Sequence, residues 1–253
     1  MSGSPMLQFP HIDVEETFDQ LVRDYGTASV LTDVLPKNCP PINADYVFHS
    51  ERIIAELKCL ADDNSDSIKR QEKLNALLDT NFNEGKIKTK ILDESTWKDF
   101  PLHLQRDIAN LFSPSIRARI KKADIQIRET KANCGMDYYS GLLILANDGL
   151  VTMPPAAFIE VAMRYITNNL HHIDCFIYLT VNLFTRVEGM PMPVLFWMPM
   201  SLQKPSKISD TFLRSLFDNW RSRVDKKWGI KSFGREISDD DMEAFWKARH
   251  YPK

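Results

Sequence analysis

The sequence has no apolar run long enough to cross a bilayer. Its opening stretch, MSGSPMLQFPHIDVEE, lacks the basic-then-apolar order of a secretory signal. A cytoplasmic location, with no membrane association, is the expectation. Cysteine is sparse: Cys39, Cys59, Cys134 and Cys175 are scattered and form no CxxC pair. That argues against a zinc knuckle and fits a reducing compartment. Internal repeats and low-complexity tracts are missing as well. An excess of positive charge is also absent, with a formal net charge of −2 and a pI near 6.3. This argues against a passive nucleic-acid coat protein. It leaves room for an enzyme that concentrates cations locally and gathers carboxylates in a site.

What is present is an average globular composition, 43% hydrophobic and 26% charged over 253 residues. Such a chain can bury one sizeable core, so the expectation is a single α/β domain. Its core would run over residues 13 to 182, with a C-terminal strand and helix extension over 183 to 253. Val14, Phe18, Leu21, Val22 and Tyr25 stand at helical spacing, and Gly26 ends that run. Two short β-prone runs, NADYVFH and RIIAELKCL, are separated only by Ser50 and Glu51, which predicts a hairpin or, since Ser-Glu is not a favoured hairpin pair, a looser turn. Helices are predicted around Leu74, Leu77 and Leu78, over 103 to 112, and over 115 to 133. In the last of these, Ile116, Ile120, Ala123 and Ile127 form the buried stripe. GLLILAND reads as a strand closed by Asp148-Gly149, and Pro154 and Pro155 open another helix. CFIYLTVNLF and VLFWMPM read as strands, and FLRSLFDNWRSRVDKKW as a helix. That order fits layered α/β architecture.

Glu-x-Lys occurs three times, as Glu56-Leu57-Lys58, Glu84-Gly85-Lys86 and Glu129-Thr130-Lys131. Glu84 lies in a polar, Gly-containing segment. Glu129 lies in a predicted helix, where residues two apart do not share a face. Glu56 alone interrupts a β-type apolar run. On a strand, Ile54, Glu56 and Lys58 point one way, and Ile53, Ala55, Leu57 and Cys59 the other, toward the core. A two-residue hairpin link would set Asp45 directly opposite Glu56, with Cβ atoms about 5 Å apart. Two adjacent carboxylates raise each other's proton affinity, a cost that a hard divalent cation removes. A metal there would polarise a phosphoryl oxygen and acidify a bound water. The lysine would orient that water or stabilise charge on the phosphorus centre. Phosphodiester hydrolysis is the chemistry that fits.

The segment NADYVFHSERIIAELKCL resembles the core motif of the PD-(D/E)XK, or restriction-endonuclease-like, nucleases. Asp45, Glu56 and Lys58 match its aspartate and its acid-x-Lys, and Ala44 stands where the motif's name has proline. The segment KKADIQIRETKAN resembles the family's site-facing helix, with Gln126 as the supporting residue and Lys122 and Thr130 on the same face. Glu15 or Glu16 on the first helix would match an acid that assists the metal in some members; Glu16 is taken as the third ligand. The resemblance implies a mixed central sheet flanked by helices. It also implies Mg²⁺, with Mn²⁺ able to substitute, bound by Asp45 and Glu56, and a DNA substrate cleaved in restriction, repair or defence against mobile DNA. The alternative is a catalytically inactive module on that scaffold, binding DNA or a partner protein within a larger complex. Specificity would come from a homodimer or a partner. Arg117, Arg119, Lys121, Lys122, Arg128 and Lys131 form one basic cluster, and Arg221, Arg223, Lys226, Lys227 and Lys231 another; each is a candidate for neutralising phosphates.

Overall fold

The computed structural model describes residues 9–34, 43–60, 64–90, 99–150, 153–187, 194–231, 245 and 248–251. The Pro-rich segment ending in Pro41, and Cys39 within it, lie outside them. In chain order the elements are α1 (Val14–Asp24), β1 (Ala28–Val30), α2 (Leu31–Val34), β2 (Tyr46–Phe48), β3 (Ile53–Leu60), α3 (Asn64–Asn83) and α4 (Leu102–Cys134). They continue with β4 (Ser140–Asn147), α5 (Pro155–Asn169), β5 (Cys175–Thr180), β6 (Phe184–Arg186), β7 (Trp197–Ser201), α6 (Asp210–Trp228) and β8 (Arg249–Tyr251). Six strands form one open mixed sheet in the order β1-β2-β3-β4-β5-β7, and β6 pairs with β8 apart from it. β1, β2 and β3 are antiparallel neighbours, β3, β4 and β5 run parallel, and β7 returns antiparallel on β5. The chain is thus an α/β protein, as its element order predicts.

Parallel central strands are covered on both faces, which is why β4 and β5 are apolar at nearly every position rather than at alternate ones. Ile54, Leu143, Leu145, Phe176 and Tyr178 pack with α3, α4 and α5 on one face. Ile53, Ala55, Leu57, Ile144 and Ile177 pack with α1 and α6 on the other. β3 is therefore buried on both sides, where its sequence predicts one core-facing side. The C-terminal segment completes this arrangement: β7 extends the main sheet, and Phe212, Leu216, Trp220 and Val224 of α6 help build the second core.

Sequence reading predicts two helices either side of Pro114, but α4 runs unbroken through it for 33 residues. Proline costs a helix one N–H donor and crowds the preceding turn. Here Ser113 Oγ donates to the Asn110 carbonyl (3.0 Å), the acceptor that Pro114 leaves without its usual amide. The predicted CFIYLTVNLF strand is broken in turn by Asn182 at φ 56°, which separates β5 from β6.

Candidate active site

The hairpin has the register that the two-residue link predicts: Tyr46 pairs with Ala55, Val47 with Ile54 and Phe48 with Ile53. Arg52 N donates to His49 O (3.3 Å) to close the turn, and Arg52 takes a φ of 55°. One step further along this register places Asp45 against Glu56. The ladder ends there, and the Asp45 side chain takes over from the backbone: its Oδ2 accepts from Leu57 N (2.8 Å). Asp45 is thereby locked to the strand that carries Glu56 and Lys58.

Glu56 is fully buried, with an exposure of 0%. Its Oε1 accepts from Lys58 Nζ, whereas Oε2 is buried and receives no hydrogen bond. Burial, and then the neighbouring Asp45 carboxylate, push the Glu56 carboxyl up to about 8; the Lys58 ammonium offsets only part of this. Asp45 is also raised by burial, against the opposing effects of the Leu57 N–H, Lys58 and a hydrogen bond with Glu56. Together these shifts describe a carboxyl-carboxylate pair that holds its proton on Glu56. A buried oxygen without a donor, next to a second carboxylate, is where a cation would replace that proton.

The approach to Asp45 is fastened from α4. Thr130 Oγ1 accepts from Ala44 N (2.7 Å), and Gln126 Nε2 donates to Asn43 O (2.8 Å). Leu31 N donates to Asp45 O (2.8 Å) from the opposite side. Gln126 thus reaches the site, but through the backbone before Asp45; its own Oε1 is buried and accepts no hydrogen bond. Thr130, which the sequence places only as a helical neighbour, is completely buried and makes the shorter contact. Thr130→Val keeps the shape and leaves the buried Ala44 N–H without an acceptor. It is expected to cost about 1–3 kcal/mol in denaturant unfolding, with Thr130→Ser restoring most of it. An unchanged midpoint for Thr130→Val would show that this bond does not hold the strand.

On α1 the two candidate acids separate. Glu15 lies within electrostatic reach of both Asp45 and Cys59, raising the pKa of each. Glu16 turns away: Oε1 accepts from Gln20, and Oε2 stands 4.0 Å from Lys227 on α6. Glu16, taken as the third ligand from sequence, is thus not brought to the cluster; Glu15 is the acid of α1 nearest it in effect. The two other Glu-x-Lys pairs read as expected. Glu84 and Lys86 form a half-exposed ion pair (2.7 Å), and Glu129 binds Arg128 (2.6 Å).

The basic clusters differ too. On α6, Arg221 pairs with Asp218, Arg223 with Asp24 and Lys227 with Glu16. On α4, Lys121 and Lys122 are exposed and make no ion pair among the described residues, and Arg117 lies over the Tyr165 ring (5.9 Å). The helix that fastens the site therefore carries exposed, unpaired lysines among the described residues, as α6 does at Lys226.

Among the described residues no group of three or more His, Cys, Asp or Glu side chains is gathered for a metal. Asp45 and Glu56 are a pair, which suits a magnesium-type ion that keeps several waters. Compared with protein-family models, curated proteins and solved structures, the chain matches none. The functional reading therefore rests on the site itself and on the motif resemblance.

Proposed function

We propose that the chain is a metal-dependent nuclease of restriction-endonuclease-like type, hydrolysing phosphodiester bonds of DNA. The observation that supports this best is the Asp45–Glu56–Lys58 cluster, in which a buried Glu56 oxygen reached by no donor stands beside a second carboxylate and shares a proton with it. Asp45 and Glu56 would hold the ion, and Mg²⁺ or Mn²⁺ would supply Lewis acidity toward the phosphoryl oxygen. Lys58, partly exposed and next to Glu56, is placed to meet an attacking water or the developing negative charge. Gln126 and Thr130 keep Asp45 in position. The exposed lysines of α4 would neutralise flanking phosphates, which predicts cleavage that weakens with salt.

The experiment is cleavage of linear, circular and single-stranded DNA with Mg²⁺ or Mn²⁺, comparing the wild type with Asp45→Asn and Lys58→Met. Metal-dependent cleavage that falls about a hundredfold or more in both variants is the expected result. A second reading, a binding module without catalysis, is favoured by the proton that Glu56 keeps near neutral pH and by its contact with Lys58, which together satisfy the side chain without a metal. Metal titration separates the two: a wild type that neither cleaves nor binds Mg²⁺ or Mn²⁺ would overturn the nuclease reading.

A further inference from the structure

A polar concavity of about 390 Å³ opens at the C-terminal end of α4, next to Thr130, where β4 and β5 begin. Ser140, in its wall, pairs with Ile53, three strand positions before Glu56. Its walls come from three separate elements: Arg128 and Lys131 from α4, Tyr138 and Tyr139 from the turn into β4, and His171, His172 and Asp174 from the turn into β5. Lys207 closes the remaining side.

Two acids line it: Asp137 is exposed at the rim and makes no ion pair among the described residues, and Asp174 is already committed. Asp174 Oδ1 accepts from Lys207 Nζ (2.7 Å), and its Oδ2 accepts from Gly141 N (2.9 Å). Asp124 Oδ1, behind the wall, accepts from His172 N (3.0 Å). Lys131 is left over. It is only 9% exposed, lines the cavity, and makes no side-chain hydrogen bond or ion pair among the described residues. Burial lowers its proton affinity, while Asp174, Asp124 and Asp137 act on it from a distance. The stem of Lys131 is buried while its ammonium reaches the cavity without an ion pair, an arrangement that suits an anion there. Beside it the rings of His171 and His172 make no hydrogen bond among the described residues, so both offer donors to the same space.

The rim supplies a different chemistry. Tyr138 is 67% exposed, stands edge-on to Tyr139 with centroids 5.0 Å apart, and has the Arg52 guanidinium 5.4 Å from its ring centroid. An exposed aromatic ring with an arginine over it is a surface on which a flat heterocycle stacks. Cationic depth and aromatic rim together match a phosphate joined to a base, and the volume falls within the range of small-ligand sites.

We propose that this cavity is a nucleotide-binding site, taking a 5′-phosphate on Lys131, His171 and His172 and stacking the base on Tyr138. The 5′-phosphate belongs either to a free mononucleotide or to the end of a nucleic-acid strand. The site is separate from the Asp45–Glu56 cluster and does not rest on the nuclease reading.

Calorimetric titration in EDTA tests it, with the four nucleoside 5′-monophosphates, the parent nucleosides, inorganic phosphate, and a short oligonucleotide with and without a 5′-phosphate. The wild type is expected to bind at least one 5′-monophosphate and not its nucleoside. Lys131→Met should weaken that binding about tenfold or more. Tyr138→Ala, at an exposed position, should weaken the nucleotide about fivefold or more and leave inorganic phosphate unchanged. Glu56→Gln should bind as the wild type does. Tighter binding of the 5′-phosphorylated oligonucleotide than of the mononucleotide assigns the site to strand ends, and the reverse assigns it to free nucleotides; both uphold it. No 5′-monophosphate bound below millimolar concentration would overturn the proposal. So would equal affinity in a folded Lys131→Met, or loss of binding in Glu56→Gln.

Discussion

Glu56→Gln is expected to abolish metal-dependent cleavage while making the metal-free protein more stable at pH 8. The side chain is completely buried and its carboxyl is raised to about 8, chiefly by burial and then by Asp45. Between the usual carboxylate range and pH 8 the folded chain therefore binds a proton at Glu56 that the unfolded chain has released. Stability from this group is full below about pH 4.5 and is lost as pH rises through about 8. Within that window it falls by up to about 1.4 kcal/mol per pH unit. Glutamine imitates the protonated form, so the difference between wild type and variant should grow with pH in the variant's favour. Mg²⁺ binds the ionised pair, so it should stabilise the wild type most at high pH and leave Glu56→Gln untouched. Losing a ligand that helps the metal withdraw charge corresponds to about a thousandfold or more in rate. Chemical unfolding from pH 5 to 8, with and without Mg²⁺, reads the first effect and a cleavage assay reads the second. A wild type that gains stability over that range relative to the variant would contradict the buried, protonated state of Glu56.

That state is only half legible in the sequence. The register that brings Asp45 to Glu56 follows from the short link at Ser50 and Glu51, because link length fixes which residues face each other across a hairpin. The phase of β3 likewise puts Glu56 and Lys58 on one face. What the local pattern does not carry is the cover over that face. Sequence reading leaves the Glu56 side open, whereas α4 lies on it, because β3 also pairs with β4 in parallel and the central strands are sandwiched. The partner strand lies some ninety residues further along the chain, and no alternation within β3 announces it. Burial, and with it the raised carboxyl and the oxygen that no donor reaches, is a tertiary consequence.

The same distinction explains the supporting residues. Helical spacing puts Lys122, Gln126 and Thr130 in one row, but their neighbours come from the packing of α4. Gln126 and Thr130 fasten the backbone before Asp45, while Lys122 stays in solvent. On α1, Glu15 and Glu16 differ by one residue, a turn of about 100° on a helix. Both are exposed, so the apolar stripe that sets the helix phase cannot say which acid faces Asp45. Pro114 misleads for a related reason: the rule that proline ends a helix is local, and the bond from Ser113 to the Asn110 carbonyl repairs the local loss. The cavity at Lys131 is the least legible feature. His171 and His172 lie between α5 and β5, and only the meeting of α4 with the starts of β4 and β5 gives them a common space.

Gly141→Ala is expected to damage the whole fold far more than its single added methyl suggests. A Cβ at Gly141 would stand 1.8 Å from the His172 carbonyl oxygen and 2.9 Å from its carbon, with Ile127 Cγ2 at 3.1 Å. Rotating a side chain cannot relieve the first two contacts, because both are with backbone. Nor is that backbone free to retreat: His172 N is tied to Asp124, and Asp174 exchanges two hydrogen bonds with Gly141 itself, through its N–H and its carboxylate. Accommodation requires the segment from His171 to Asp174 to lift off β4 and break buried polar bonds. The expected loss is about 3 kcal/mol or more, read by denaturant unfolding. Gly135→Ala serves as the contrast. It has a φ of 65° with nothing within 4 Å of an added Cβ, so only backbone strain of about 1 kcal/mol is expected. The order of these two variants is the test, since an argument from conformation alone would rank Gly135 as the more sensitive. If Gly141→Ala unfolds within about 1 kcal/mol of the wild type, the close approach of the His172 carbonyl to β4 is wrong. The shape assigned to the Lys131 cavity, whose wall that segment forms, would then be wrong with it.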